Sequence, residues 1–375
     1  DPRREGLLYA GTERGMYFSF DDGANWESFQ LNLPIVPITD LAIKNNDLIV
    51  ATQGRSFWVL DDLTMLHQWK DNIVKQDAHL FTLRPVYKGL SGGRGFASAT
   101  AGANPPGGVP IRFWLRDVPE DAEASLEIKD GSGNLVKRYA TKPNKNKDED
   151  KLNLESGINT IRWNTRYAGA ETFEGMVLWG GGTQGPSAIP GTYTATLTIG
   201  EDTHNVDFEI RKDPRLEVTD DEYRQQFDFL IGIRDKLTET HTAIKNIRDV
   251  RNQINALKTR LQDEDQYEEL IKQGDEIVQR MTKIEETLYQ TKSKSGQDPL
   301  NFPIRLNNRL SALVSVVSSA DGPPTQQSVD VHDMVVEEID KNLAELQKIF
   351  DEDVAAFNNA ISAQQVPFIF TGDDS

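Results

Sequence analysis

The chain has 375 residues, more than one compact core normally holds, so we expect roughly two or three domains. Its formal net charge of −18 argues against nucleic acid or an anionic membrane surface as a partner, because both require clustered Lys and Arg. The absence of cysteine excludes disulfides, thiol nucleophiles and cysteine-based metal sites. No window reaches the roughly 18 to 20 apolar residues that a membrane-spanning helix needs.

Residues 1–77 contain short runs of aromatic and β-branched residues, and part of this pattern returns about 40 residues later. Tyr9–Thr12 aligns with Ile49–Thr52. Without a gap, Tyr17–Asp22 then aligns with Phe57–Asp62. A period of this length built from short strands is typical of β-propeller blades, which bury their faces only against neighbouring blades. Residues 1–77 are therefore predicted to be terminal propeller blades, although two units cannot close a ring.

Residues 78–213 also carry strand patterns, but the repeat stops. A turn at Asp130–Gly133 predicts a hairpin, because its glycines can adopt positive φ. Antiparallel strands at this density predict a β-sandwich of the immunoglobulin or fibronectin type III kind, with a charged loop at 142–151. The predicted strands are Val109–Leu115, Ser125–Lys129, Val136–Tyr139, Asn159–Trp163, Thr192–Ile199 and Val206–Ile210.

Residues 214–375 change from a period of two to one near 3.6, which indicates helices. Thr219–Glu222 fits a capping box, with a hydroxyl at the N-cap and a carboxylate three positions later. Four amphipathic helices with short connections predict a bundle. The apolar segment Val366–Phe370 is expected to pack against another domain. The predicted helices run from Thr219 to Leu261, from Tyr267 to Leu288, from Ile304 to Ser319, and from Pro324 to Ala363.

One hairpin carries a recognisable motif, Ser19-x-Asp21-x-Gly23-x-x-Trp26. It resembles the Asp-box, or BNR repeat, of sialidases and sortilin-like propellers, with Asn25 where a Thr is often found. The whole arrangement resembles the C-terminal part of large bacterial exported proteins that are usually labelled glycosyl hydrolases or sortilin-like BNR-repeat proteins. The resemblance implies a periplasmic, outer-surface or secreted location and further propeller blades upstream of Asp1.

The Asp-box residues have a structural interpretation. Asp21 can accept hydrogen bonds from backbone amides of its own turn, Gly23 can adopt a positive φ, and Trp26 can cover the hairpin. The alternative is that Asp21 and Asp22 act on a sugar or bind a cation. The hairpin interpretation is favoured because an Asx-turn accounts for these residue types at this spacing.

Three further residues are candidates for contacts with a ligand. Arg14 and Arg55 lie one position apart in the aligned repeats and could line a propeller face, although solvated loop residues are the plainer explanation. Trp179 precedes three glycines and could contact a ligand or another domain. Trp163 lies within an alternating run and is expected in a sandwich core.

Motifs for chemistry are weak. Gly89-x-Ser91-x-Gly93 matches a nucleophile-elbow pattern, but further glycines follow it where a helix is needed. The five histidines show no zinc-binding spacing, the cluster Asp330–Asp333 fits a solvated helix start, and 263–269 lacks the glycine of an EF-hand. We therefore predict no catalytic residue, metal or cofactor.

The sequence leaves two functional hypotheses. The leading one is a non-catalytic scaffold or binding region of an exported bacterial Asp-box propeller protein, which mediates interdomain or protein-partner contacts, with carbohydrate as another candidate ligand. The alternative is an accessory region of a glycoside hydrolase or sialidase-like enzyme whose active site lies on upstream blades.

Overall fold

A computed structural model of the chain describes residues 1–89, 102–118, 123–144 and 149–366. It combines mixed β-sheets with a helical C-terminal region, which confirms the coarse fold class. Two compact units emerge: Asp1–Arg166 with Ala188–Leu216, and Tyr167–Ser187 with the described residues from Glu217 onward. Three of the predicted features lie wholly or partly outside the described residues: the nucleophile-elbow pattern beyond Gly89, the middle of the charged loop at 145–148, and the apolar segment beyond Val366.

The first unit begins with two three-stranded antiparallel sheets, each a meander. Gly11 lets them approach closely, since a Cβ at this position would lie 2.6 Å from Cγ2 of Ile38. The short helix α1, Thr64–Gln68, follows the second sheet. The first sheet contains β1 (Leu8–Thr12), β2 (Gly15–Ser19) and β3 (Glu27–Ser28), and the second contains β4 (Ile38–Lys44), β5 (Asp47–Thr52) and β6 (Phe57–Leu60).

A small hydrophobic core lies between these two sheets. Met16 of β2 contributes to it, as do Leu48 and Val50 of β5, each at most 2 % exposed. Because side chains alternate along a strand, the next residues of each strand point to the opposite face. On β6 that opposite face carries Phe57 and Val59, which are 74 % and 54 % exposed.

The rest of the first unit consists of a six-stranded and a three-stranded sheet. The larger sheet has the order β12-β11-β10-β14-β15-β8 and the smaller one β13-β9-β7, with parallel pairing only for β11–β12 and β15–β8 among the described strands. The strands are β7 (Ala78–Leu80), β8 (Val86–Tyr87), β9 (Val109–Leu115), β10 (Ala124–Asp130), β11 (Leu135–Ala140), β12 (Asp150–Lys151), β13 (Gly157–Trp163), β14 (Gly191–Ile199) and β15 (Asp202–Arg211).

Aromatic rings connect these two sheets. Trp163 of β13 is fully buried, and its ring centroid lies 5.5 Å from that of Tyr193 on β14 and 6.1 Å from that of Phe208 on β15. The two sheets therefore share a core built from inward-facing residues, which alternate along each strand.

The predicted hairpin turn is also present, since Asp130 Oδ1 accepts the backbone amides of Ser132 and Asn134.

The second unit is mainly helical. Its first helix starts with the predicted capping box, in which the Glu222 amide donates to Thr219 Oγ1 and the Thr219 amide donates to the Glu222 carboxylate. A π-helical turn, Ile349–Val354, joins the last two helices where one continuous helix is predicted. Within the described residues, no helix is long and apolar enough to cross a membrane. The helices are α2 (Asp220–Leu261), α3 (Glu268–Leu288), α4 (Leu306–Val317), α5 (Gln326–Lys348) and α6 (Ala355–Ala363).

The segment Tyr167–Ser187, here called the strap, belongs to the helical unit although it precedes β14 in the chain. Gly181 of the strap packs directly on α4, because a Cβ at this position would lie 2.0 Å from Oγ of Ser311. The helical unit is thus assembled from two separate parts of the sequence.

Candidate functional site

The residues of the Ser19-x-Asp21-x-Gly23-x-x-Trp26 motif meet in one tight turn after β2. The buried Ser19 hydroxyl donates to Asp21 Oδ1 at 2.7 Å and accepts the Gly23 amide at 2.9 Å. Asp21 Oδ1 also accepts the Asn25 amide at 2.8 Å, and Oδ2 accepts Asn25 Nδ2 at 2.6 Å. The bond from the Asn25 side chain, followed by those from the Asn25 amide and the Ser19 hydroxyl, lowers the pKa of Asp21 to about 2. Both carboxylate oxygens therefore serve the turn.

The backbone conformation at position 23 explains why a glycine stands there, and Trp26 packs over that glycine. Gly23 has a φ of +89°, and a Cβ there would lie 3.4 Å from Cζ2 of Trp26. Trp26 is 44 % exposed. The neighbouring Asp22 amide donates to the carbonyl of Gly6 at 3.1 Å, which ties the turn to the start of the chain. In this geometry the motif builds and anchors a hairpin.

Arg14 and Arg55 occupy equivalent places in the hairpin turns that precede β2 and β6. Thr12 pairs with Gly15, which leaves two residues in the first turn. In the second turn the Thr52 amide donates to the carbonyl of Ser56, which leaves three residues between them. The pairing register thus departs from the gap-free alignment by one residue. Measured from the second strand, each arginine is the last residue of its turn, and both are exposed.

A cleft of about 590 Å³ lies in the first unit, beside the turn Asn45–Asp47. Two of the basic residues that line it form ion pairs with acidic neighbours. Arg84 Nη1 lies 2.7 Å from Asp47 Oδ1, and Arg211 Nε lies 2.8 Å from a Glu209 oxygen. These two pairs neutralise part of the positive charge on the walls of the cleft.

Trp179 is held through its backbone in the strap. Its amide donates to Asn308 Oδ1 at 2.7 Å, and Asn308 Nδ2 donates to its carbonyl at 2.8 Å. Asn308 is only 4 % exposed on α4, whereas Trp179 is 42 % exposed. The side chain therefore stays open to solvent while its backbone is fixed, as a contact residue requires.

A buried histidine provides a second anchor for the strap. His241 of α2 is fully buried, and its Nδ1 lies 2.5 Å from the carbonyl oxygen of Glu171, so this nitrogen carries the proton and donates. Nε2 then accepts from Asn307 Nδ2 at 3.3 Å. Burial lowers the pKa of His241, which favours the neutral imidazole that this arrangement needs.

A cluster that the sequence did not reveal lies beside the strap. The buried Glu285 of α3 accepts from Arg248 Nε at 2.7 Å and from Arg251 Nη1 at 2.6 Å. The guanidinium of Arg248 also covers the ring of Phe173, 4.5 Å from its centroid. Arg248, Arg251 and Glu285 line a cleft of about 380 Å³ together with Tyr289. We call it the arginine cleft.

Sequence separation explains why this cluster was missed. Arg248 and Arg251 lie 37 and 34 residues from Glu285, so no local motif joins them. One signal was available: the two arginines are three positions apart and share a helix face. Only the packing of α2 on α3 places a carboxylate opposite them.

No protein-family model matches the chain, and no curated protein matches it either. The functional proposal must therefore come from the residues and their geometry.

Proposed function

We propose that the chain is a non-catalytic scaffold or binding region of an exported Asp-box propeller protein. In this proposal the first two sheets are blades, and they contact further blades of the same repeat upstream of Asp1. The observation that carries it is the exposed face of the second sheet, which is equivalent to the face that the first sheet buries when the repeats are matched on their first strands, Tyr9–Thr12 with Ile49–Thr52.

Cross-strand pairs identify the two faces. In the first sheet Tyr9 pairs with Phe18, and both pack in the core shared with the second sheet. When Tyr9 is matched to Ile49 and the extra turn residue shifts the second strand by one position, the equivalent pair in the second sheet is Ile49 and Val59. These point away from the first sheet, beside the exposed Phe57. Successive propeller blades stack in this way, with one face of each unit covered by the next.

Strand number supports the same proposal. In the aligned repeats β1 corresponds to β5 and β2 to β6. The first sheet adds a third strand, β3, beside β2, whereas the second sheet adds β4 beside β5. Superimposing the two sheets therefore gives one unit of four strands, in the order β4, β5, β6 and β3. Four-stranded antiparallel units are the standard propeller blade.

We further propose an immunoglobulin-like sandwich for the second β-region. Besides the buried Trp163, the Tyr193 hydroxyl donates to the carbonyl of Ile189 at 2.9 Å. A tyrosine near a strand start that bonds to backbone a few residues upstream resembles the tyrosine corner of such domains. This region would hold the blades and the helical unit within one scaffold.

The non-catalytic part of the proposal rests on the Asp-box geometry. Most glycosidases need two carboxyl groups at a defined separation, one of them free to attack or to move a proton. Asp21 instead accepts hydrogen bonds on both oxygens inside its turn. Because this turn resembles the repeat of sialidases, a second proposal stands beside the first. In it the chain is an accessory region of a glycoside hydrolase or sialidase-like enzyme whose active site lies on upstream blades.

An activity assay tests whether this chain is itself non-catalytic, as both proposals require. The purified chain is incubated with a panel of fluorogenic glycosides, sialosides included, and compared with the Asp21→Asn variant. We expect no release above background from either protein. Hydrolysis by the unaltered chain that disappears in Asp21→Asn, while the β-sheet circular dichroism stays the same, would show that the Asp-box itself is catalytic and would end the proposal.

A further inference from the structure

The geometry of the arginine cleft points to a binding site for an oxoanion group, such as phosphate, sulfate or carboxylate, on a small molecule. The cleft lies entirely within the helical unit, between α2, α3 and the strap. This inference is independent of the propeller proposal.

The two arginines retain binding capacity. Each guanidinium has five N–H groups, and within the described ranges one from Arg248 and one from Arg251 find an acceptor, Glu285 in both cases. Their side chains are 30 % and 25 % exposed, so the remaining donors reach the solvent of the cleft. Two forked guanidiniums side by side suit an oxoanion, which accepts several charge-assisted hydrogen bonds at once.

The donors are also held in place before any ligand arrives. Glu285 is almost completely buried and uses one oxygen for each arginine. Arg248 is further fixed over the rings of Phe173 and Tyr289, at 4.5 and 5.7 Å from their centroids. Preorganised donors lose less conformational entropy on binding, so this arrangement raises affinity.

The strap forms the remaining wall. The Tyr289 hydroxyl accepts the amide of Val177 at 3.0 Å and donates to the carbonyl of Gly175 at 3.3 Å. Gly175 itself lines the cleft. A volume of about 380 Å³ falls within the usual range for small-molecule sites, so the cleft has room for more than a bare ion.

The balance of charge favours an anion despite the acidic chain. The ionisable groups that line the cleft are Arg248, Arg251 and Lys294 against Glu174 and Glu285, which leaves one net positive charge. Within the part of the chain that the structure describes, no carboxylate pairs with the Lys294 ammonium. A locally positive cleft on a chain of net charge −18 concentrates small anions there.

Isothermal titration calorimetry tests the site directly. Inorganic phosphate, sulfate and acetate are titrated separately into the full chain at constant ionic strength, with chloride as the reference anion. We expect saturable binding of at least one probe, weakened about tenfold by Arg251→Gln. Arg224→Gln, an exposed arginine of α2 outside the cleft, is the matched control and should bind normally. Comparison of the three probes identifies the preferred oxoanion.

Two more variants separate positioning from simple charge. Arg251→Lys keeps the charge and a partner for Glu285, so it should fold, yet it loses the fork and should still weaken binding. Glu285→Gln makes the cleft more positive, so attraction alone predicts tighter binding, whereas loss of the positioning carboxylate predicts weaker binding. We expect weaker binding. The site does not exist if no probe binds beyond the chloride reference, or if Arg251→Lys and Arg224→Gln bind alike.

Discussion

Asp21 accepts hydrogen bonds from both nitrogens of Asn25, from the backbone amide on Oδ1 and from the side chain on Oδ2. Asn25 therefore supplies two of the hydrogen bonds that hold the carboxylate in the turn. The motif acts as a complete structural unit in which the carboxylate is the central acceptor.

Gly23→Ala should destabilise this turn. A methyl group at a φ of +89° is strained, although it would only make van der Waals contact with Trp26 at 3.4 Å. We expect a cost of about 1–2 kcal/mol, seen as roughly 5- to 30-fold faster hydrogen exchange of the Asn25 amide. Gly232→Ala, within α2 and with open space around its Cβ, is the control and should leave that amide unchanged. Equal exchange rates in both variants would disprove the role of Gly23.

The two faces of the second sheet should respond differently to truncation. Leu48→Ala removes a side chain that is 1 % exposed in the shared core, so we expect a loss of about 2–5 kcal/mol in the unfolding free energy of the first unit. Val59→Ala alters a side chain that is 54 % exposed and should change it by less than about 0.5 kcal/mol. Urea unfolding followed by β-sheet circular dichroism measures both. A large loss for Val59→Ala would mean that this face is already covered in the isolated chain.

Asn308→Ala should release the strap. The change leaves the amide and carbonyl of Trp179 without their partner on α4, at a cost of about 1–3 kcal/mol. Limited proteolysis within the strap and hydrogen exchange of the Trp179 amide report the release. Asn342→Ala serves as the control, because that residue is only partly buried and its side chain bonds only the carbonyl of Glu338 on its own helix. Unchanged protection of the Trp179 amide from hydrogen exchange in Asn308→Ala would show that Asn308 does not hold the strap on α4.

The helical unit should lose stability as the pH falls below 6.5. Burial lowers the pKa of His241 from 6.5, with Lys245 acting in the same direction and the carbonyl of Glu171 opposing it. The unfolded chain therefore binds a proton at a pH where the native imidazole does not, so the contribution is complete above pH 6.5 and declines below it. The slope cannot exceed about 1.4 kcal/mol per pH unit for one proton.

Urea unfolding of the helical unit between pH 7.5 and 5.5 measures this slope. His241→Gln removes the titrating group and should flatten the dependence over that interval. The same slope in both proteins would assign the effect to other groups.

Local patterns predicted much of the fold. The period of two in Val109–Leu115 and the cap at Thr219 each encode a structure within a few residues, and the observed β9 and α2 match them. The turn that contains Arg55 shows the limit of such patterns. One additional turn residue shifts the pairing register, and the gap-free alignment conceals it.

Long-range contacts account for what the sequence did not reveal. The strap has no helical or strand period, and its bond between Trp179 and Asn308 joins residues 129 positions apart. The pairing of Arg251 with Glu285 depends in the same way on how α2 packs against α3. Such contacts follow from tertiary packing, which a single sequence does not encode locally.

Photo-crosslinking at position 57 tests the central claim most directly. Because Phe57 is 74 % exposed, a photoreactive phenylalanine analogue should fit there without disturbing the fold. The same analogue at Leu135, exposed on β11, is the control. In the protein as its native cells make it, we expect position 57 to crosslink to a strand of another Asp-box repeat unit, identified by peptide mass spectrometry, and position 135 to give no such product. An uncrosslinked position 57, or one joined to a peptide without the repeat, would contradict the proposal that this face packs against a further blade.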